Sequence, residues 1–251
     1  MVLCQLNLTD RENLVRTLWF RVYMWLKCLA ALHERHHLQG VMAAARGLFE
    51  LTVDLTLIQR DSTATPVERF LAFEEYQRWR ATQRARDYCK THPADTGVDY
   101  LRTFAARFPE GPEQTVQMEA LRKKHWGTDG TGRPRKPETW SGKSIANNCL
   151  DAGFEREHVE MNALLCWSIH SGITGFINLT EDDFETNAAL SYLFALRMVL
   201  RAIDIVAAEF KLTGAIPEFR EKMKWVESIP GRFLTHINQR GGKATENSSP
   251  S

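Results

Sequence analysis

Apolar residues recur three and four positions apart along most of this chain, and no segment alternates apolar and polar residues as a strand does. In the first such segment Leu14, Leu18 and Val22 share one helical face. Thr9 followed by Glu12 matches the capping box, in which each side chain binds a backbone amide that the first turn leaves without a partner. The pattern predicts an all-α protein, a single bundle of about seven to nine helices.

Glycine, proline and capping residues give the expected helix limits. Gly40 is expected to mark a break after the first helix, and the stretch 127–140 lacks periodicity and is predicted to be a loop. Residues 1–240 are predicted to form a single helical domain, and the small polar residues 241–251 a disordered tail. The helices are predicted to start at Thr9 and then to cover about 41–60, 65–90, 98–108, 113–125, 141–153, 155–170 and 181–211, with a short one from Pro217.

Composition excludes several classes of protein. Hydrophobic residues make up 43% of the chain and charged residues 25%, which is ordinary for a globular protein. The net charge of +1 provides no global field toward nucleic acid or membrane, so a charged partner needs a local patch. Basic residues interrupt the first apolar segment, which indicates neither a signal peptide nor a membrane span. We therefore expect no membrane partner.

The cysteines indicate a reducing compartment. None of the five belongs to a Cys-x-x-Cys pair, and their number is odd, so neither a disulfide framework nor a zinc ribbon is predicted. A cytoplasmic location follows as an expectation. The five are Cys4, Cys28, Cys89, Cys149 and Cys166.

Two polar features interrupt otherwise apolar helices. Arg46, Glu50 and Asp54 are spaced four residues apart and lie on one helical face, where an intrahelical ion pair is the commoner interpretation and a functional cluster the alternative. His170 ends an apolar helix beside small hydroxyl residues. It could act as acid, base or hydrogen-bond hub, or simply bind the last carbonyls of its helix.

A histidine cluster gives a third candidate. His33, His36 and His37 share one helical face, where two imidazoles could hold a metal. No Asp or Glu stands where it would complete the shell, so chance clustering at a solvated helix end is the preferred interpretation. We predict no metal site and no cofactor.

The strongest local charge lies between residues 122 and 136. Six Lys or Arg occur there against the single acid Asp129, and an aromatic residue lies among them. Such a loop could hold phosphates and stack on a base, although a solvated surface loop is the commoner outcome. The predicted nucleic-acid-binding residues are Arg122, Lys123, Lys124, Trp126, Arg133, Arg135 and Lys136.

Three pieces in order resemble a mostly bacterial helical family known as domain of unknown function 5677. They are Ala45-Arg46-Gly47-Leu48-Phe49-Glu50, then Trp140-Ser141-Gly142-Lys143-Ser144-Ile145-Ala146, and last Ser168-Ile169-His170-Ser171-Gly172. The family has an aromatic residue and a serine eight and four positions before the histidine, where this chain has Asn162 and Cys166. The resemblance therefore leaves Arg46, Glu50 and His170 as the polar positions that this chain shares with the family.

The family's helical layout is similar to that of the HEPN group, which includes RNA-cleaving toxins and phage-defence effectors. Two functions follow as expectations. The first is a helical binding or regulatory protein in a bacterial stress or defence context, with Arg46, Glu50 and His170 as an internal polar network. The alternative is a metal-independent endoribonuclease, with His170 as acid or base and Arg46 stabilising the phosphorane. The basic loop is compatible with RNA as a partner, and surplus aromatics on the first helix (Trp19, Phe20, Trp25) are compatible with a homodimer.

Overall fold

The computed structural model of the protein describes residues 8–32, 37–95, 97, 99–106, 111–159, 180–212 and 221, with 181–184 described in their backbone alone. The described residues contain eight helical segments and no strand, which confirms the all-α prediction and the expected number of helices. The helices are α1 (Asp10–Ala31), α2 (Leu38–Arg60), α3 (Thr65–Thr91), α4 (Asp99–Ala106), α5 (Pro112–Trp126), α6 (Ile145–Asp151), a segment at 155–159 that we call α7, and α8 (Glu181–Glu209).

The limits of the first two helices show which local signals were reliable. The Thr9 hydroxyl accepts a hydrogen bond from the Glu12 amide at 3.2 Å, and the Glu12 carboxylate accepts one from the Thr9 amide at 2.8 Å. The capping box is therefore confirmed. The predicted break at Gly40 is wrong, because Gly40 lies in the first turn of α2. A Cβ there would lie 3.0 Å from Leu32 Cδ1, so the glycine allows that side chain to approach.

The chain divides into two compact units, of which unit 1 comprises residues 1–60 and 149–251. In unit 1, α2 contacts both α1 and α8. The Thr52 hydroxyl on α2 lies 2.8 Å from the Leu48 carbonyl oxygen and 3.2 Å from that of Met198 on α8, so it joins the two helices inside the core. Fully buried side chains of this core include Leu18, Val22, Leu48, Leu55 and Met198.

Unit 2 comprises residues 61–148 and is built on α3, which contacts α4 and α5. Arg86 of α3 donates a hydrogen bond to the Ala105 carbonyl of α4 at 3.1 Å. After α5 the chain turns back in a short hairpin, where Thr128 and Pro134 form an isolated antiparallel bridge. The predicted loop at 127–140 is thus a loop with its own defined backbone pairing.

The boundary between the units falls inside α6, between residues 148 and 149. The single domain over residues 1–240 stays a prediction, and the expected tail at 241–251 lies outside the described residues. Among the helices that the structure describes, none combines the length and the apolar character that a membrane span requires.

Candidate functional site

Arg46 and Glu50 form an ion pair one turn apart on α2. Arg46 Nε lies 2.8 Å from Glu50 Oε1, and the two side chains remain 25% and 42% exposed. A pair so open to water contributes little to stability, because solvent screens its attraction. The pair therefore lies at the edge of unit 1 rather than in a sealed core, and a solvent-borne ligand could reach it.

Cys149, at the end of α6, is fully buried close to the acidic face of α2. Burial and, to a lesser extent, the negative charges of Glu50, Asp54 and Glu157 together raise the pKa of its thiol to about 11. Three carboxylates from two segments therefore act on one buried thiol. Such a thiol stays protonated and unreactive at neutral pH.

Phe154 anchors the turn between α6 and α7. Its side chain is 1% exposed and meets the ring of Phe49 edge to face at 6.0 Å between centroids. The guanidinium carbon of Arg201 on α8 lies 4.6 Å from the centroid of the Phe154 ring, and Arg201 Nη2 lies 3.5 Å from Glu157 Oε1. Residues of α2 and α8 thus pack on Phe154, and Glu157 of α7 pairs with the arginine that lies over the ring.

We expect Cys149 to be far less reactive than the exposed Cys28. A pKa raised from 9.0 to about 11 lowers the thiolate fraction about 100-fold at pH 8, and burial also limits access. Alkylation with N-ethylmaleimide, followed by mass spectrometry of each cysteine peptide, measures the two rates. Equal rates in the folded protein would contradict the buried, protonated thiol.

The same raised pKa has a consequence for stability. Above pH 9 the unfolded chain loses the Cys149 proton while the folded protein retains it. The contribution of Cys149 to stability is therefore complete below about pH 9 and is lost as the pH rises toward about 11. Urea unfolding over this range should show the loss in the native chain and a smaller loss in Cys149→Ala.

The second candidate site is in unit 2, and we call residues 122–143 the basic hairpin. Its turn is closed by backbone hydrogen bonds, from the Asp129 amide to the Arg133 carbonyl at 2.8 Å and from the Arg135 amide to the Gly127 carbonyl at 3.1 Å. The hydroxyl and amide of Thr131 donate to the Asp129 carboxylate and hold the pKa of Asp129 below its ordinary value. Asp129, the one acid of this turn, thus stabilises the turn through its carboxylate.

Two of the predicted nucleic-acid-binding residues are buried in unit 2. Arg122 is 7% exposed, donates from Nε to the Arg135 carbonyl at 2.9 Å and from Nη2 to the Pro134 carbonyl, and lies over the ring of Tyr76. Trp126 is 8% exposed and donates from Nε1 to the Trp140 carbonyl at 2.9 Å. Both side chains thus bind the returning chain to the end of α5, and neither is exposed for contact with a ligand.

The other five predicted residues are on the surface. Burial holds the pKa of the nearby His125 below its ordinary value, so that imidazole adds little positive charge at neutral pH. Lys143, which the sequence analysis did not include, is exposed on the returning segment. The exposed cations of the basic hairpin are Lys123, Lys124, Arg133, Arg135, Lys136 and Lys143.

Several candidates lie outside the described residues, namely His170, His33 and His36. The convergence of Arg46, Glu50 and His170 therefore stays a prediction. His37 lies just before α2. Within the described ranges, no three His, Cys, Asp or Glu side chains come together as a metal would need.

The residues that lie around Cys149 and Phe154 were not predicted from the sequence. Cys149, Glu157 and Arg201 are about a hundred or more positions from α2 along the chain, and nothing in the local pattern links them to it. Contacts of this range depend on the packing of α8 and of Phe154 onto α2.

Comparison with known proteins adds one finding. A family model described as a family of unknown function (DUF5677) matches residues 12–187, which is more than half of the chain. The match covers the Arg46–Glu50 pair, Cys149 and the whole basic hairpin, and it ends inside α8. Neither the curated proteins nor the solved structures include a match to this chain.

Proposed function

Because the chain belongs to the DUF5677 family, whose function is unknown, we propose from its own residues that it is a helical RNA-binding protein without a catalytic role. The basic hairpin of unit 2 holds the RNA backbone. The observation that supports this most is that the hairpin has two kinds of residue, buried ones that hold its backbone and exposed cations that can contact phosphates. Buried Arg122 and Trp126 fix its shape, and six exposed cations surround it.

The charge of the hairpin favours a polyanion. Lys and Arg bind phosphates by releasing condensed counterions, so binding strengthens with each phosphate neutralised and weakens with salt. Asp129 is one of only two acids between residues 122 and 143, and its carboxylate is occupied within the turn. The remaining acid, Glu138, leaves a clear excess of positive charge on this surface.

The buried aromatics favour contacts to the RNA backbone over contacts to bases. Trp126 and Trp140 are 8% and 6% exposed, so neither indole offers a face for base stacking. Single-strand binders that stack bases need such a face. We therefore infer binding that depends on phosphates and is nearly insensitive to base sequence.

A non-catalytic role is supported by the state of Arg46. For Arg46 to stabilise a phosphorane, its guanidinium would have to leave the Glu50 carboxylate, 2.8 Å away. The pair is exposed enough for the Arg46 guanidinium to leave Glu50 and contact a phosphate. In the structure, however, the guanidinium is bound to Glu50 and is not positioned for a substrate. The endoribonuclease therefore remains the alternative, and the binding experiment includes an arm that detects it.

We expect Lys123→Gln/Lys124→Gln/Lys136→Gln to weaken RNA binding about 50-fold at 0.15 M salt, if affinities converge near 1 M salt. The slope of log K against log salt should fall in magnitude by about 2, because three phosphate contacts are lost at about 0.7 each. Fluorescence anisotropy with labelled 20-nucleotide RNAs of two unrelated sequences, in EDTA, measures affinity and sequence dependence. A DNA of the same length reports any preference for ribose.

The matched control removes the same charge from unit 1. Arg16→Gln/Arg21→Gln/Lys27→Gln takes three exposed cations from α1 and should change RNA affinity less than about threefold, because those residues make no proposed phosphate contact. Equal losses in the two variants, or no binding by the wild type at low salt, would overturn the proposal. Cleaved RNA after prolonged incubation would overturn its non-catalytic part and favour the ribonuclease.

A further inference from the structure

The outward face of α1 carries large apolar side chains that no described part of the chain covers. Phe20, Tyr23 and Met24 are 59%, 45% and 48% exposed, and the rings of Phe20 and Tyr23 lie 6.5 Å apart between centroids. Their spacing of three and four residues aligns them on one side of the helix. We call these three residues, with Arg16 and Lys27 on the same side, the α1 stripe.

The opposite face of α1 accounts for the packing of this helix. Leu18 and Val22 are fully buried there. Trp25 lies against α2 so closely that a Cβ on Gly47 would be 2.7 Å from its indole ring. The core of unit 1 is therefore filled without the α1 stripe, and a cluster of exposed apolar side chains of this kind is typical of an interaction site.

Charge indicates what the α1 stripe binds. Arg16 lies one turn before Phe20 and Lys27 one turn after Tyr23, and both are exposed. Residues 13–31 contain no Asp or Glu. The stripe is thus an apolar centre with a cation at each end, and the two cations are about 16 Å apart along the helix axis at 1.5 Å per residue.

We propose that the α1 stripe docks an acidic amphipathic helix of a partner protein. The partner helix would place apolar side chains at helical spacing on Phe20, Tyr23 and Met24. An acidic residue near each end, about eleven positions apart, would meet Arg16 and Lys27. The arrangement is a helix laid on an amphipathic face, with opposite charges setting its register.

A second copy of this chain fits the α1 stripe less well. If two stripes packed antiparallel, Arg16 would face Lys27 of the other copy at both ends, and parallel packing would place like residues opposite each other. Both orientations bring like charges together, which disfavours association. A lipid surface also fits less well, because a patch one turn long buries little apolar area in a bilayer.

The test uses two synthetic helical peptides and the full chain. Both peptides carry the same leucines at helical spacing. One has glutamates eleven positions apart at its ends, and the other has lysines there. Fluorescence anisotropy should show the glutamate peptide binding at least about tenfold more tightly, because two attractive end contacts replace two repulsive ones.

Variants of the α1 stripe make the result specific. Arg16→Glu/Lys27→Glu should reverse the preference toward the lysine peptide, and Phe20→Ser/Met24→Ser should weaken both peptides at least about tenfold. The control Leu71→Ser/Val116→Ser removes two apolar side chains of similar exposure from unit 2 and should leave binding unchanged. Circular dichroism confirms that each variant is folded.

Three outcomes would overturn the proposal. The first is a charge swap that leaves peptide preference unchanged. The second is a concentration-dependent dimer in sedimentation that Phe20→Ser abolishes, which would make a second copy the occupant. The third is binding to phosphatidylserine vesicles that depends on the α1 stripe while neither peptide binds. None of these readouts involves RNA, so the result is independent of the proposed function.

Discussion

Replacing Arg122 by Met is expected to lower the free energy of unfolding of unit 2 by about 3 kcal/mol, because two backbone carbonyls lose a charged donor in a buried place. Arg122 donates to the carbonyls of Arg135 and Pro134, and its guanidinium lies 5.5 Å from the centre of the Tyr76 ring. Methionine fills much of the same volume but can donate to neither oxygen. Urea unfolding followed by circular dichroism measures the loss.

The matched control is an exposed arginine of the same hairpin. Arg133→Met removes the same charge, and the Arg133 amide that donates to Asp129 stays in place. Its free energy of unfolding should change by less than about 0.5 kcal/mol, because substitutions on an open surface rarely cost more. The salt dependence of RNA binding should nevertheless weaken, by about 0.7 in slope. Equal stability of the two variants would contradict the structural role of Arg122.

This contrast shows why sequence could not separate the two arginines. Both lie in one basic run, and charge alone predicts the same surface role for each. Arg122 is on the last turns of α5, where the returning chain presents the Arg135 and Pro134 carbonyls to it. Trp126 is buried for a similar reason, since its partner Trp140 lies across the hairpin. The burial of Arg122 and Trp126 depends on how the hairpin folds back onto α5, and the local pattern of charges does not reveal that contact.

The helices themselves were predictable because their signals are local. Apolar spacing and the Thr9 capping box depend on residues within one or two turns, and the helix limits agree with the structure to within a few residues for α2, α3, α5 and α8. The error at Gly40 has the same origin. Glycine usually marks a helix end, but here it makes room for Leu32, a residue outside α2.

The candidate site of unit 1 likewise has one part that the sequence predicts and one part that only the fold reveals. The Arg46–Glu50 pair follows from four-residue spacing on one helix and is observed. Cys149 of α6, whose pKa Glu50 raises, and the pair of Glu157 on α7 with Arg201 on α8 could be found only in the folded chain. Phe154 is the residue that brings these elements together, and its contribution to stability can be tested directly.

Phe154→Ala is expected to lower the free energy of unfolding of unit 1 by about 3–5 kcal/mol, the usual cost of truncating a buried phenylalanine. The ring is 1% exposed, packs edge to face on Phe49 and lies under the guanidinium of Arg201. Truncation leaves a cavity at the turn between α6 and α7. Phe154→Leu keeps most of the volume and should cost less than about 1.5 kcal/mol. Urea unfolding of both variants measures the difference.

Cys149 provides a second readout of the same change. The Phe154 amide donates to the Cys149 carbonyl at 2.7 Å, so loosening the turn at Phe154 should also expose the thiol. Alkylation of Cys149 should therefore accelerate in Phe154→Ala and stay slow in Phe154→Leu, while the rate at Cys28 on α1 stays constant in both. If Phe154→Ala lost stability without any change at Cys149, the aromatic packing would stabilise the core of α2 and α8 alone. The turn that holds Cys149 beside Glu50 and Glu157 would then have another anchor.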